Sequence, residues 1–152
     1  MSTLHSHCVY PNVSSFFRRR SQPGTVFSGT GGRLLLLLKL YDATGNSTYM
    51  TLAEPYVKAV ERLLPEQEVS DRLTGFVGFQ WSRVGMWSVA AAYYDRLATP
   101  EGARLKTKYL KMIVDLFAES ASQGKYDDFD SGRAGLIYAS LFIADNISPR
   151  YS

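Results

Sequence analysis

The sequence predicts an all-α fold assembled from repeated helical hairpins, and three observations carry that expectation. A phrase made of a small residue, two further residues, a glycine and an apolar run occurs three times. It stands as Gly29-Thr30-Gly31-Gly32 before Leu34 to Tyr41, as Ser82-Arg83-Val84-Gly85 before Met86 to Tyr94, and as Gly132-Arg133-Ala134-Gly135 before Leu136 to Ala144. The second glycines, Gly32, Gly85 and Gly135, lie 53 and then 50 residues apart, a period that marks a repeat architecture. The runs are rich in Leu and Ala, where Val and Ile would mark a buried parallel strand, so helix is the expected state.

Residues 1–23 show no clear periodicity and are expected as a flexible basic arm, which leaves 24–152 for the repeat domain. In the first copy Leu34, Leu35, Leu36, Leu37 and Leu38 are apolar without a gap, so the helix is expected to be buried on nearly every side. It is too short to span a bilayer. Gly45 suits a left-handed C-cap, and Asn46 or Ser47 can N-cap the next helix. From Ser47 to Leu64 the apolar residues Tyr49, Leu52, Ala53, Tyr56, Val57, Val60, Leu63 and Leu64 recur at three-four spacing, with Glu54, Lys58, Glu61 and Arg62 expected to face outward. Pro55 interrupts this pattern at a cost of about 3 kcal/mol, so a kink or a restart near Glu54 is expected. Pro65 is expected to end the helix, with a loop from Glu66 to Gly78.

The second copy repeats the plan. Met86 to Leu97 is expected to be mostly buried, and Thr99-Pro100-Glu101 reads as a helix start in which Thr caps, Pro occupies the first turn and Glu meets the positive end of the dipole. Leu105, Tyr109, Met112, Ile113, Leu116 and Phe117 then form one apolar stripe. An acidic turn, Tyr126-Asp127-Asp128-Phe129-Asp130, leads into a third buried helix reaching Ile143. Such hairpins stack into an open solenoid or curl into a ring, with buried helices inside and amphipathic ones outside. The paired small residues leave backbone amides uncovered, for a neighbouring helix end or for a ligand. Close packing of helix ends accounts for all three copies at once.

The 152-residue chain is long enough for one domain with its own core. At 45% hydrophobic and 20% charged residues it falls with folded chains and not with disordered ones. Its net charge of +3 is unevenly placed: five basic residues (Arg18, Arg19, Arg20, Arg33 and Lys39) and no acidic one precede Asp42, leaving 12 basic against 14 acidic beyond. A nucleic-acid protein is expected to carry a basic stripe along a folded element, so no nucleic-acid partner is expected. Arg18, Arg19 and Arg20, beside Phe16 and Phe17, have two readings: a solvated arm, or a peripheral contact with an anionic membrane. The arm is also Ser- and Arg-rich and acid-poor, a weak transit-peptide signal, while Ser2 rules out myristoylation. There is no secretory apolar core, and one cysteine gives no disulfide framework, so a cytoplasmic location is expected, with the plasma-membrane surface as the alternative.

Three segments carry a family resemblance: Gly29 through Gly45, Gly85 through Tyr94, and above all Asp127-Asp128-Phe129-Asp130-Ser131-Gly132-Arg133-Ala134-Gly135-Leu136-Ile137-Tyr138-Ala139. From about Phe27 to Asp145 the chain resembles the LanC-like proteins, eukaryotic relatives of bacterial lanthionine synthetase C. The resemblance implies an α/α toroid of seven hairpins, of which this chain holds about three. It implies a zinc ion, held in family members by two cysteines and a histidine in Cys-His-Gly contexts of later hairpins, that converts a thiol to a thiolate nucleophile. For the eukaryotic members it implies glutathione binding and addition of glutathione to dehydroalanine or dehydrobutyrine in peptides.

The chain departs from that pattern. It has no Cys-His-Gly, and Trp81-Ser82 stands where relatives tend to have Cys-Gly. Its sole Cys8, with His5 and His7, lies in the arm, without the rigid scaffold a zinc site needs. No cofactor is therefore expected in this chain, and no substrate-binding residue is assigned. The resemblance matches Asp128 to an aspartate that orients an active-site histidine, a role in which a carboxylate fixes the ring tautomer. Equally, Asp127, Asp128 and Asp130 read as a solvated acidic loop capping the next helix, and Arg133 either points toward the ring interior or pairs with them.

These readings leave three function classes. The first is an N-terminal portion or short form of a glutathione-adding LanC-like protein, inactive by itself. The second is a non-enzymatic helical-repeat scaffold that binds a partner, or a second copy, through hairpin faces left uncovered. The third, part of a six-hairpin glycosidase, needs paired carboxylates at its centre, whereas the aspartates here share one loop.

Overall fold

The computed structural model describes residues 24–27, 29–123 and 126–147. The arm at 1–23, with Cys8, His5, His7 and the Arg18 to Arg20 cluster, lies outside the described residues. The described residues form five α-helices and no strand: α1 (Thr30–Thr44), α2 (Thr48–Thr74), α3 (Arg83–Leu97), α4 (Pro100–Gln123) and α5 (Arg133–Asn146). α1, α3 and α5 make an inner row in which α3 packs on both neighbours. α2 lies against α1 and α3, and α4 against α3 and α5. The result is the predicted all-helical repeat, a two-layer arc consistent with part of an α/α toroid.

Position in the arc decides burial. α3 has an inner helix on each side and both outer helices against it, so every residue from Arg83 to Tyr94 is buried. α1 and α5 stand at the ends. In α1 only Gly31, Leu34 and Leu38 are buried and Leu36 is 59% exposed, which corrects the expectation of a helix covered on nearly every side. Its apolar run has no polar face to turn outward, yet among the described helices it packs on α2 and α3 without being covered all round.

α2 corrects three further expectations. It runs as one helix through Pro55 and Pro65, with no restart near Glu54, no end at Pro65 and no loop before Gly75. Both prolines are exposed, so the interrupted backbone faces water, while Ala53, Val57 and Val60 on the packed side are at most 1% exposed. Burying each valine stabilises by about 1.5–3 kcal/mol, comparable with the roughly 3 kcal/mol that each interior proline costs. Tyr56, Leu63 and Leu64 add partial burial and hold the helix together. The extension beyond Pro65 has a consequence in packing: it brings Asp71, 4% exposed, to the start of α3, where its carboxylate accepts the Arg83 backbone N–H at 2.8 Å. A negative charge there also complements the helix dipole.

The remaining helix ends agree closely with the sequence. Gly45 terminates α1 at φ +67° and donates its N–H to the Tyr41 carbonyl at 2.8 Å. Asn46 Oδ1 accepts from the Thr48 N–H, Ser82 Oγ from the Val84 N–H, and Thr99 Oγ1 from the Gly102 N–H, at 3.0, 3.2 and 3.0 Å. Ala98 stands as far beyond Gly85 as Gly45 does beyond Gly32, and it ends α3 in the same left-handed region at φ +50°. A side chain in that conformation costs about 1–2 kcal/mol. Ala98→Gly is accordingly expected to stabilise the chain by about 1 kcal/mol, seen as a higher urea midpoint at unchanged slope. A midpoint that stays put or falls would contradict this.

Candidate functional site

The loops that precede the three inner helices lie side by side at one end of the arc. The Phe27 N–H donates to the Gln80 carbonyl at 3.2 Å, joining first loop to second. The Val77 and Gly78 N–H groups donate to the Ser131 carbonyl at 2.7 and 2.9 Å, joining second to third. Aromatic contacts run in the same order: Phe27 lies 4.6 Å from Trp81, and Phe79 about equally close to Tyr138 and Phe142, at 5.1 and 5.0 Å.

In every copy the loop doubles back so that the carbonyl six residues before the second glycine presses on that glycine. A Cβ at Gly32, Gly85 or Gly135 would stand 2.3, 1.8 or 2.0 Å from the carbonyl oxygen of Val26, Phe79 or Phe129. The preceding copy closes in as well: a Cβ at Gly85 would meet the Val26 side chain at 2.8 Å, and one at Gly135 the Phe79 backbone nitrogen at 3.0 Å. Close packing of loops on helix ends therefore accounts for the repeated glycines.

The acidic loop before α5 is internally tied. Asp128 accepts the Ser131 N–H at 2.8 Å and the Ser131 hydroxyl at 3.0 Å, closing the turn. Burial opposes its charge, but these hydrogen bonds outweigh burial and hold the carboxyl below its ordinary value. Asp127 pairs with Arg133, the guanidinium Nε donating at 2.5 Å, so Arg133 pairs with an aspartate of its own loop. Asp128 is thus an ionised, exposed carboxylate anchored at the rim of the three-loop stack. It closes its own turn but does not cap α5, whose N-cap Gly132 receives no side-chain hydrogen bond, so the expected capping of the next helix is not seen.

At the opposite end of the inner helices a polar cluster joins all three. Arg96 of α3 donates Nε and one Nη to the two oxygens of Asp42 on α1, at 2.7 and 2.6 Å. Its other Nη donates to the carbonyls of Ala92 and of Asn146 on α5, at 2.7 and 3.3 Å. Lys39 of α1 donates to the Asn146 side chain. The Arg96 hydrogen bonds, opposed by burial and helped by the charges of Arg96 and Lys39, hold the Asp42 carboxyl below its ordinary value. A carboxyl depressed in the folded state contributes stability that is present above its unfolded pKa, about 3.9, and is lost as pH falls through the folded value. The native chain is therefore expected to lose more stability than Asp42→Asn between about pH 5 and about pH 2. Parallel urea-midpoint profiles for the two proteins would refute it.

Sequence reasoning missed that cluster, although a signal was present: Gly32, Gly85 and Gly135 are each followed ten residues on by an aspartate, Asp42, Asp95 and Asp145. Asp42 meets Arg96, and Asp95 meets Lys106 at 2.9 Å. It also assigned Glu61 to the outer face. Glu61 is instead half-buried, and its Oε1 accepts the hydroxyls of Tyr94 on α3 and Tyr109 on α4, each at 2.8 Å. The helical spacing puts Glu61 at the edge of the Val57–Val60 stripe, where two outer helices converge on one inner helix.

Among the described residues, no group of three or more His, Cys, Asp or Glu is placed to hold a metal ion. Asp127 and Asp128 are engaged by Arg133 and Ser131. These residues do not fit the zinc that the resemblance implies, and no chemical step is assigned to them through it. A family model described as lanthionine synthetase C-like protein matches residues 20–152.

Proposed function

The chain belongs to the lanthionine synthetase C-like protein family, and from that premise we propose that it forms the opening arc of a glutathione-directed, peptide-modifying ring without catalysing by itself. The stack of three inner-helix loops supports this reading, because it presents Asp128 at a shared rim with its carboxylate ionised and its turn already fixed by Ser131. In such a ring Asp128 is a positioning residue: it accepts a ring N–H of a histidine from outside the described residues and sets its tautomer. Glutathione and dehydroamino-acid peptides are the proposed substrates, with thiol activation supplied from outside the described residues. The proposed location is cytoplasmic, with Arg18, Arg19 and Arg20 available to an anionic membrane surface. No described helix is long and apolar enough to cross a membrane.

Two assays test the reading: metal content by atomic emission, and glutathione addition to a dehydroalanine peptide monitored by mass spectrometry. Addition no faster than the protein-free control, with zinc well below one per chain, is expected. Turnover, or stoichiometric zinc, would overturn the inactive-arc reading. A second reading, a non-enzymatic scaffold, is favoured by apolar side chains at both ends of the arc, with Leu36, Ile137 and Leu141 each more than half exposed.

A further inference from the structure

The apolar stripe of α4 packs inward, and the opposite side of that helix carries three exposed cations, Arg104, Lys108 and Lys111, spaced i, i+4 and i+7 on one face. Arg104 is held by Glu101, to which its guanidinium donates at 2.7 and 2.6 Å. Lys108 and Lys111 form no salt bridge with a described residue. α2 brings another such cation to the same wall. Its Glu61 accepts the Tyr109 hydroxyl at 2.8 Å, so Arg62 and Lys108, the sequence neighbours of that bonded pair, flank the line where the two outer helices converge. Arg62 is exposed and likewise has no salt bridge, whereas Lys58, one turn before it, is paired with Glu54. Of the described acids on this wall, Glu54 and Glu101 are thus paired and Asp115 stands one turn beyond Lys111, which leaves an excess of positive charge. Val114, one turn from Lys111, is 65% exposed.

The chain also enters the fold beside Arg62: a Cβ at Gly24 would lie 3.3 Å from the Leu63 Cβ. Arg18, Arg19 and Arg20 precede Gly24 by four to six residues, a reach of at most about 14 to 22 Å. We propose that the outer wall of α2 and α4 is the folded half of a membrane-contact surface. Arg62, Lys108 and Lys111 meet the head groups of an anionic bilayer, Val114 enters the boundary with the acyl chains, and the three arginines before Gly24 act alongside them. Lipid fits this wall better than nucleic acid does. A duplex is gripped through many phosphate contacts and has no use for an exposed valine, whereas a few cations around an aliphatic side chain suit a boundary that is polar on one side and apolar on the other. The inference rests on the proposed contact of Arg18, Arg19 and Arg20 with a membrane and deepens it by naming the folded residues that share it. It involves neither glutathione nor zinc.

The test is co-sedimentation of the full chain with vesicles of phosphatidylcholine and phosphatidylserine, about three to one, and with vesicles of phosphatidylcholine alone, at low and at high salt. Saturable binding to the anionic vesicles, lost at high salt and absent from the neutral ones, is expected. Lys108→Gln, Lys111→Gln and Val114→Gln are each expected to weaken it about fivefold. Arg33→Gln removes the same charge from an exposed site on α1, in the inner row, and is expected to leave binding unchanged. All four side chains are exposed, so circular dichroism of these variants is expected to match the native chain. Changing Arg18, Arg19 and Arg20 together to Gln is expected to leave a weaker binding that still depends on Lys111. Binding that the wall substitutions spare and the triple arginine variant abolishes belongs to the arm alone, which overturns this proposal while the arm reading stands. Absence of binding to anionic vesicles overturns both. Equal weakening by Arg33→Gln and the wall variants reduces the effect to net charge and overturns the proposal, as does binding of a DNA duplex that the vesicles fail to displace.

Discussion

Gly85→Ala is expected to destabilise the chain by about 3 kcal/mol or more, a large share of the roughly 5–15 kcal/mol that holds a typical domain together. The added methyl would stand 1.8 Å from the Phe79 carbonyl oxygen, so the loop or the helix end must move by more than an ångström. Neither moves freely. Phe79 is 3% exposed and wedged against Tyr138 and Phe142, and the loop is pinned where the buried Ser82 hydroxyl donates to the Gly78 carbonyl at 2.7 Å. Gly32→Ala meets the Val26 carbonyl at 2.3 Å at the end of the arc and is expected to cost less. Gly45→Ala meets nothing within 4 Å, and only its positive φ opposes it, by about 1 kcal/mol. Urea midpoints of the three variants are expected in that order. A Gly85→Ala midpoint no lower than that of Gly45→Ala would mean that the loops do not press on the helix ends.

Glu61→Ala is expected to cost about 2–4 kcal/mol, because it strands two hydroxyls that share one carboxylate oxygen. Tyr94 and Tyr109 are 8% and 2% exposed, and their rings stack 6.1 Å apart at 12°, so neither hydroxyl can turn to water without opening the packing. The contact ties α2 directly to α4, in addition to the packing of each helix on α3. Glu61→Gln keeps an acceptor oxygen and is expected to lose less. A double-mutant cycle separates this from general damage: Tyr109→Phe should cost much less in the Glu61→Ala background than alone, and additive losses would argue against a shared acceptor. Burial, reinforced by the hydrogen bond to Glu61, raises the pKa of both phenols. A raised phenol contributes stability that is intact below its unfolded value, about 10, and is lost as pH climbs through the folded one. Alkaline unfolding of the native chain is expected on that side.

Much of this was legible before any coordinates. The Gly45 cap, the Thr99-Pro100 start and the three glycine-led helices are local features, decided by backbone conformation and by side chains a few residues apart, so the sequence displays them directly. The Pro65 terminus was misjudged by the same logic. Locally a proline ends a helix, but here it faces water while the packed side of α2 carries the energy. Asp128 was singled out by the family resemblance and its pairing-prone neighbour Arg133 by the repeat, whereas Glu61 was assigned to solvent because its partners lie 33 and 48 residues away.

The order of the helices, their period, and the need for a glycine at each inner helix end were determined by the sequence alone, since composition and spacing suffice for those. Only the tertiary structure decided which apolar faces are covered, which carboxylate serves two tyrosines, and that Asp71 caps a helix other than its own. The reason is physical. Burial and hydrogen-bond satisfaction belong to pairs of surfaces, and a chain of letters states the surfaces without stating which of them meet.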